Sequence, residues 1–199
     1  MVRIGVSVEG PTEERFIKAV LAPYLFTKNI NIIPISLGGC VNIDRIKNEL
    51  KRIAFSFDYV TTLYDFYGFH NKDAGATKDT LESKILDAVH ENIKSRLIPY
   101  IQMHEFEGLL FSCPQSLSSI LVGNSLEQWA NNILSDFGHN PEKINDSPET
   151  APSKRLSKNT NYRKTTHGPN IAKAIGIEKI RKECVGFNAW LEKLEHLQR

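Results

Sequence analysis

Val2–Val8 (VRIGVSV), running into Glu9-Gly10-Pro11-Thr12-Glu13-Glu14, is the stretch on which the fold turns. A nearly continuous apolar, β-branched run bounded by a Gly-Pro turn reads as a short strand buried on both faces. Gly10 permits a sharp turn and Thr12 is placed to cap a helix. Phe16, Ile17, Val20, Leu21 and Tyr24 then recur at helical spacing over 13–24, with Pro23 set to kink or end the helix.

Downstream, the alternation repeats. Asn31–Leu37 (NIIPISL) is a second strand, and Pro34 places it at an edge or a bulge. Gly38-Gly39 turns the chain into a helix over 42–55, with Ile43, Ile46, Leu50 and Ile53 on one face. Tyr59–Tyr64 (YVTTLY) is a third strand that ends at Asp65. A helix over 80–93 comes next, and Leu97–Met103 (LIPYIQM) is a fourth strand ending at His104-Glu105. Phe106–Phe111 opens another helix. Strands alternating with helices predict an α/β fold: a parallel-rich, Rossmann-like sheet with helices on both faces. Residues 112–150 are less regular, with a helical stretch at 126–134, and a helix is expected over 187–197. The expected organisation is an α/β core over 1–111 and a basic, mainly helical extension over 112–199 packed on it. Residue pattern alone also admits a small separate subdomain there.

The formal net charge of +2 conceals a split. Residues 1–150 carry 14 Lys and Arg against 19 Asp and Glu, whereas 151–199 carry 11 against 4. Lys154, Arg155, Lys158, Arg163, Lys164 and Lys173 occur between 151 and 173 with no carboxylate among them. This asymmetry fits either a polyanionic partner or a solvated tail balancing an acidic body. No apolar run is long enough to span a membrane and no leader pattern is present, so a cytoplasmic protein is expected. Cys40, Cys113 and Cys184 are dispersed, which argues against a disulfide framework or a structural zinc site.

Ligands of parallel sheets collect at the carboxyl ends of the strands. The first strand there ends at Glu9, the third at Asp65 and the fourth at Glu105; Glu13 lies one helical turn from Glu9, and Glu107 extends the acidic rim. Crowded carboxylates repel one another unless protons or cations intervene. An oxygen-only set suits Mg²⁺ or Mn²⁺. Spacing alone leaves open the plainer reading of a capping acid at Glu13 and unconnected surface charges elsewhere.

Val8-Glu9-Gly10-Pro11-Thr12-Glu13-Glu14 resembles the first motif of a Toprim domain, and Leu63-Tyr64-Asp65-Phe66-Tyr67-Gly68 its second acidic strand end. More narrowly, the run Gln102–Phe111 (QMHEFEGLLF), Ala151-Pro152-Ser153-Lys154-Arg155, His167-Gly168-Pro169 and Phe187-Asn188-Ala189-Trp190 resemble the bacterial domain-of-unknown-function family 4276 over nearly the whole chain. The Toprim resemblance implies Mg²⁺- or Mn²⁺-dependent cleavage of phosphodiester bonds in DNA or RNA. Glu9, Glu13 and Asp65 would hold metal, with Glu105 as a further ligand, and Glu9 would also serve as general acid or base. Glu13 matches the additional glutamate of the overcoming-lysogenization-defect branch of Toprim nucleases. Tyr67 stands where the family's second aspartate is expected, which separates this chain from the usual pattern. The resemblance also implies an ATPase partner in phage defence; no phosphate-binding G-x-x-x-x-G-K-[ST] loop is present in this chain. A non-catalytic nucleic-acid-binding or regulatory subunit is the alternative.

Lys154, Arg155, Arg163, Lys164 and His167 are candidates to contact nucleic-acid phosphates, which supply affinity and register rather than sequence identity. Lys154 or Lys164 would stabilise charge on a cleaved phosphate. Lys154 is taken with Glu9 and Asp65 as the catalytic set. Trp129 and Trp190 read as packing residues.

Overall fold

The computed structural model describes residues 1–145 and 147–197. Strand β1 (Val2–Val8) lies between β2 (Ile30–Ser36) and β3 (Tyr59–Asp65), both parallel to it. Beyond β3 lie two short parallel segments, β4 (Leu97–Ile98) and β5 (Ile101–Gln102). The strand order is β2-β1-β3-β4, with β5 on β3 farther along. β2 is thus an edge strand, and Pro34, which has no N–H to give a ladder, is tolerated there.

The expected fourth strand divides in two. Pro99 cannot donate, and Thr62 of β3 fills in with its side chain: Oγ1 accepts from Tyr100 N at 2.8 Å and donates to Tyr100 O at 2.9 Å. The backbone ladder resumes at Ile101. The first helix also differs from its expected form. Helix α1 (Pro11–Phe16) passes through a π-turn at Ile17–Leu21 into α2 (Ala22–Phe26), so Pro23 lies in the first turn of a new segment instead of ending the helix. The helix expected over 80–93 is α4 (Lys78–Ala88), broken at Val89-His90, with α5 (Glu91–Lys94) after it. Phe106–Ser112 is a 3₁₀ helix.

Helix α3 (Ile43–Ile53) opens on Asn42, whose side chain accepts from Arg45 N at 3.0 Å. Together with α4 and α5 it covers one sheet face through Ile46, Leu50, Leu81, Ile85 and Ile93. The other face is covered by α1 and by residues far along the chain. Helices α6 (Pro114–Ile120), α7 (Leu126–Asp136), α8 (Pro152–Asn159), α9 (Lys164–Ile175), α10 (Ile177–Glu183) and α11 (Val185–Glu195) form the mostly helical C-terminal region. Its apolar residues share one buried cluster with β1 and α1. Trp190 of α11 stacks on Tyr100 at 4.7 Å between ring centroids and donates Nε1–H to Thr61 Oγ1 at 2.9 Å. Among the described residues, no helix is long and apolar enough to cross a membrane.

The topology positions the site. From β1 the chain leaves to build β2 on one side, whereas from β3 it leaves toward β4 on the other. The order therefore reverses between β1 and β3, and a crevice opens where their carboxyl ends diverge.

Candidate functional site

Glu9 comes directly after the last residue of β1, and Asp65 is the last residue of β3, so the crevice has an acid on each wall. A cleft of about 350 Å³ is lined there by Glu9, Glu13, Gly38, Gly39, Asp65 and Lys164. Gly38 and Gly39 make the turn after β2 with φ of 76° and 78°, a backbone region that glycine adopts without strain. Gly39 N donates to Glu9 O at 2.9 Å, which closes this lip onto the end of β1.

Each acid is held by a different device. Glu13, in the first turn of α1, is buried and accepts from Gly10 N at 3.0 Å, the reciprocal half of a capping box. Asp65 is buried and accepts from Phe106 N at 2.7 Å. Glu9 lies against Gly68, where a Cβ would come within 2.2 Å of its Oε2. The absent side chain at 68 is therefore the seat of the Glu9 carboxylate.

Glu105 and Glu107 are held by different partners, though Glu105 stays near enough to raise both Glu9 and Glu107. Glu105 accepts from Ser153 N at 2.8 Å and from Ser153 Oγ at 3.0 Å, docking the first turn of α8. Glu107, 1% exposed, is the deeply buried one of the two. Its Oε1 accepts from Tyr162 OH at 3.2 Å and lies 3.3 Å from Lys164 Nζ. Its Oε2, like Glu9 Oε2, is buried without a hydrogen-bond partner. The sequence held a signal for this residue: a lone carboxylate inside the apolar run Phe106–Phe111, every member of which is buried.

Electrostatics confirm that the acids share one space. Burial, then repulsion from Glu13, Glu107 and Glu9, holds Asp65 well above the usual aspartate range. Burial and the charges of Glu9 and Glu107 push Glu13 up to about 7, against the opposing pull of the Gly10 N–H. Burial also raises Glu9 and Glu107, while Lys164 draws both down. For Lys164, desolvation works against the charge, but Glu107, Glu105 and Asp65 outweigh it and raise the ammonium above the ordinary lysine value.

The basic residues separate as well. Lys164 enters the cleft, whereas Lys154 is exposed on α8, outside the residues lining it. Arg155 donates Nε–H to Thr150 O at 2.6 Å and stacks over Phe137, 5.4 Å from its ring centroid. His167 Nδ1 accepts from Arg163 N at 3.0 Å and closes the start of α9; the Arg163 side chain is exposed. Tyr67 turns its hydroxyl away to Asn145. Among these residues, only Lys164 brings a cation to the acids.

The family model of DUF4276, a domain of unknown function, matches residues 8–195. The chain belongs to the DUF4276 family. No curated protein and no solved structure matches it. The matched span of this DUF4276 chain runs from the end of β1 to the last residue of α11, so it includes both walls of the cleft and the helices that carry Lys164 and Trp190.

The residues present fit a hard divalent cation in donor type. All are carboxylate oxygens, and two buried ones lack partners. Among the described residues no three His, Cys, Asp or Glu side chains are disposed to hold one ion jointly. Mg²⁺ keeps several waters and binds through one or two carboxylates, so it does not require three.

Proposed function

We propose that this protein is a Mg²⁺- or Mn²⁺-dependent Toprim-type nuclease that hydrolyses phosphodiester bonds of DNA or RNA. The observation that carries the reading is the convergence of Glu9, Glu13, Asp65 and Glu107 at the switch point of a parallel sheet, with Glu9 Oε2 and Glu107 Oε2 buried and unpartnered. Evolved folds rarely leave buried carboxylate oxygens without a partner, and a cation in the cleft would offset the charge of both residues.

Glu9 and Asp65, on opposing walls, would hold the ion, with Glu13 and Glu107 contributing negative charge behind them. Bound there, the ion would supply Lewis-acid activation and charge neutralisation at a phosphate. Lys164 would hold a non-bridging phosphate oxygen and offset the charge that accumulates during cleavage. Tyr162 fixes Glu107 and so holds the rear wall. Phosphates farther along the strand would meet Arg163 and Lys154, both exposed beside the cleft-forming elements. The ATPase partner implied by the Toprim resemblance would supply the nucleotide hydrolysis for which this chain has no phosphate loop.

The experiment is cleavage of plasmid DNA and of a structured RNA by the purified chain, with Mg²⁺, Mn²⁺ or chelator. Metal-dependent cutting is expected, and Glu9→Gln and Asp65→Asn should reduce it by at least a hundredfold. Undiminished cutting in both variants would remove the acids from the chemistry. Tyr67 supports the second reading, a nucleic-acid-binding subunit without cleavage, because its hydroxyl is engaged by Asn145 instead of facing the cleft. Salt-sensitive binding with no cutting on any substrate would decide for it.

A further inference from the structure

We infer that the cleft takes a single divalent cation, and that the ammonium of Lys164 stands as a fixed second positive charge. The inference rests on the metal-dependent reading above and specifies its stoichiometry.

An ion requires carboxylates that line the cleft; a hydrogen bond to one lone pair does not bar an oxygen from coordinating. Glu105 is turned to Ser153, which donates to its two oxygens at 2.8 and 3.0 Å, and it does not line the cleft. The residue at 67 offers a phenol that faces Asn145. Asp65 Oδ1 is committed to Phe106 N, and Glu13 Oε2 to Gly10 N. Glu107 Oε1 already carries the Tyr162 hydroxyl and lies 3.3 Å from Lys164 Nζ. The lining carboxylates are thus Glu9, Glu13 and Asp65, with Lys164 beside them, and Glu9 Oε2 and Glu107 Oε2 are buried without a partner. Glu107 is 1% exposed and is not part of the cleft lining, so its free oxygen is withdrawn from solvent.

Two-metal sites keep their ions roughly 3.5–4 Å apart, bridged by shared carboxylates. A second ion here would need Glu107 as its ligand, and the Lys164 ammonium already occupies that side. The charge of Lys164 also acts on Asp65 and Glu9 as well as on Glu107, which is the reach a second cation would have. The lysine is covalently fixed to the start of α9 and costs no ion-binding entropy. Its stem is half exposed, leaving the ammonium reachable by a phosphate from the cleft mouth.

The test is titration of the full chain with Mn²⁺ by calorimetry, with native mass spectrometry to count bound ions. One ion per chain is expected. Lys164→Gln keeps a donor for Glu107 and removes the charge; it should bind Mn²⁺ at least tenfold more tightly or take up a second ion. Lys47→Gln, on the exposed face of α3, controls for overall charge and should leave the isotherm unchanged. Circular dichroism establishes that each variant is folded. Two ions in the unaltered chain would overturn this inference and leave the nuclease reading standing. One ion bound no more tightly by Lys164→Gln would overturn it as well. An unaltered chain that binds no Mn²⁺ would overturn the metal-dependent reading, and this inference with it.

Discussion

Replacing Glu13 with Gln should make the metal-free protein more stable at neutral and alkaline pH. Glu13 is 7% exposed, and its neighbours Glu9 and Glu107 are acidic. Its pKa rises from 4.5 to about 7 on folding. A group whose folded pKa is raised supports the fold fully below its unfolded pKa and loses that support as pH rises through the folded value. The window therefore runs from 4.5 to about 7. A shift of that size corresponds to about 3 kcal/mol of ionisation strain above neutrality. Gln retains an acceptor for Gly10 N–H and nearly the same volume, so that bond survives while the charge is removed. For a domain of this size, about 3 kcal/mol corresponds to roughly 6–12 °C in Tm. Thermal and urea unfolding of both proteins, in chelator, should show the variant ahead by about that margin near pH 8 and level with the native chain near pH 4. A variant equally or less stable near pH 8, or one whose advantage persists unchanged in acid, would refute the claim that Glu13 is ionised against its neighbours.

Two further predictions concern parts of the same frame. Gly68→Ala should expel the Glu9 carboxylate, since the new Cβ would lie 2.2 Å from Oε2, and weaken Mn²⁺ binding by tenfold or more. Glu9→Asp, one methylene shorter, should recover part of that loss in the Gly68→Ala background, and the absence of any recovery would mean that steric exclusion at 68 is not the cause. Trp190→Ala removes a fully packed ring and its bond to Thr61, and should cost about 3–5 kcal/mol, read as a lower urea midpoint. Because α11 covers the sheet directly, loss of the whole cooperative transition at one midpoint is expected; a sheet that still unfolds at its original midpoint would show that the C-terminal helices fold independently.

The parallel sheet was legible because its strands obey composition rules that act locally. VRIGVSV and YVTTLY are apolar runs closed by Gly, Pro or Asp, and the acids that close them sit at strand ends by simple counting. What could not be counted was the direction of side chains in irregular backbone. Glu105 stands just before a 3₁₀ turn and Glu107 within it, and that difference gives one to Ser153 at the start of α8 and the other to Tyr162 and Lys164. Periodicity does not resolve such a turn. The same limit applies to the cations: Lys154 and Lys164 are alike in sequence context, and only the start of α9, packed against α1, places one of them over the acids. Pro23 was read as a kink or an end, but its outcome depended on the π-turn before it; Pro99 passed unread within the fourth strand, and the break there is filled by distant Thr62.

The stacking of Trp190 on β3 and its neighbours has a consequence for synthesis. The indole bonds to Thr61 across 129 residues of sequence, and Tyr24 bonds to Glu195 across 171. Contacts this distant in sequence are slow to form because a long loop must close before they contribute. On the ribosome, the face of β1 and β3 that α11 covers stays wet until that helix emerges, whereas the opposite face can close as soon as α5 has been made. Lys164 arrives almost as late, so between the emergence of Glu107 and that of Lys164 the acids at the strand ends are together without their ammonium.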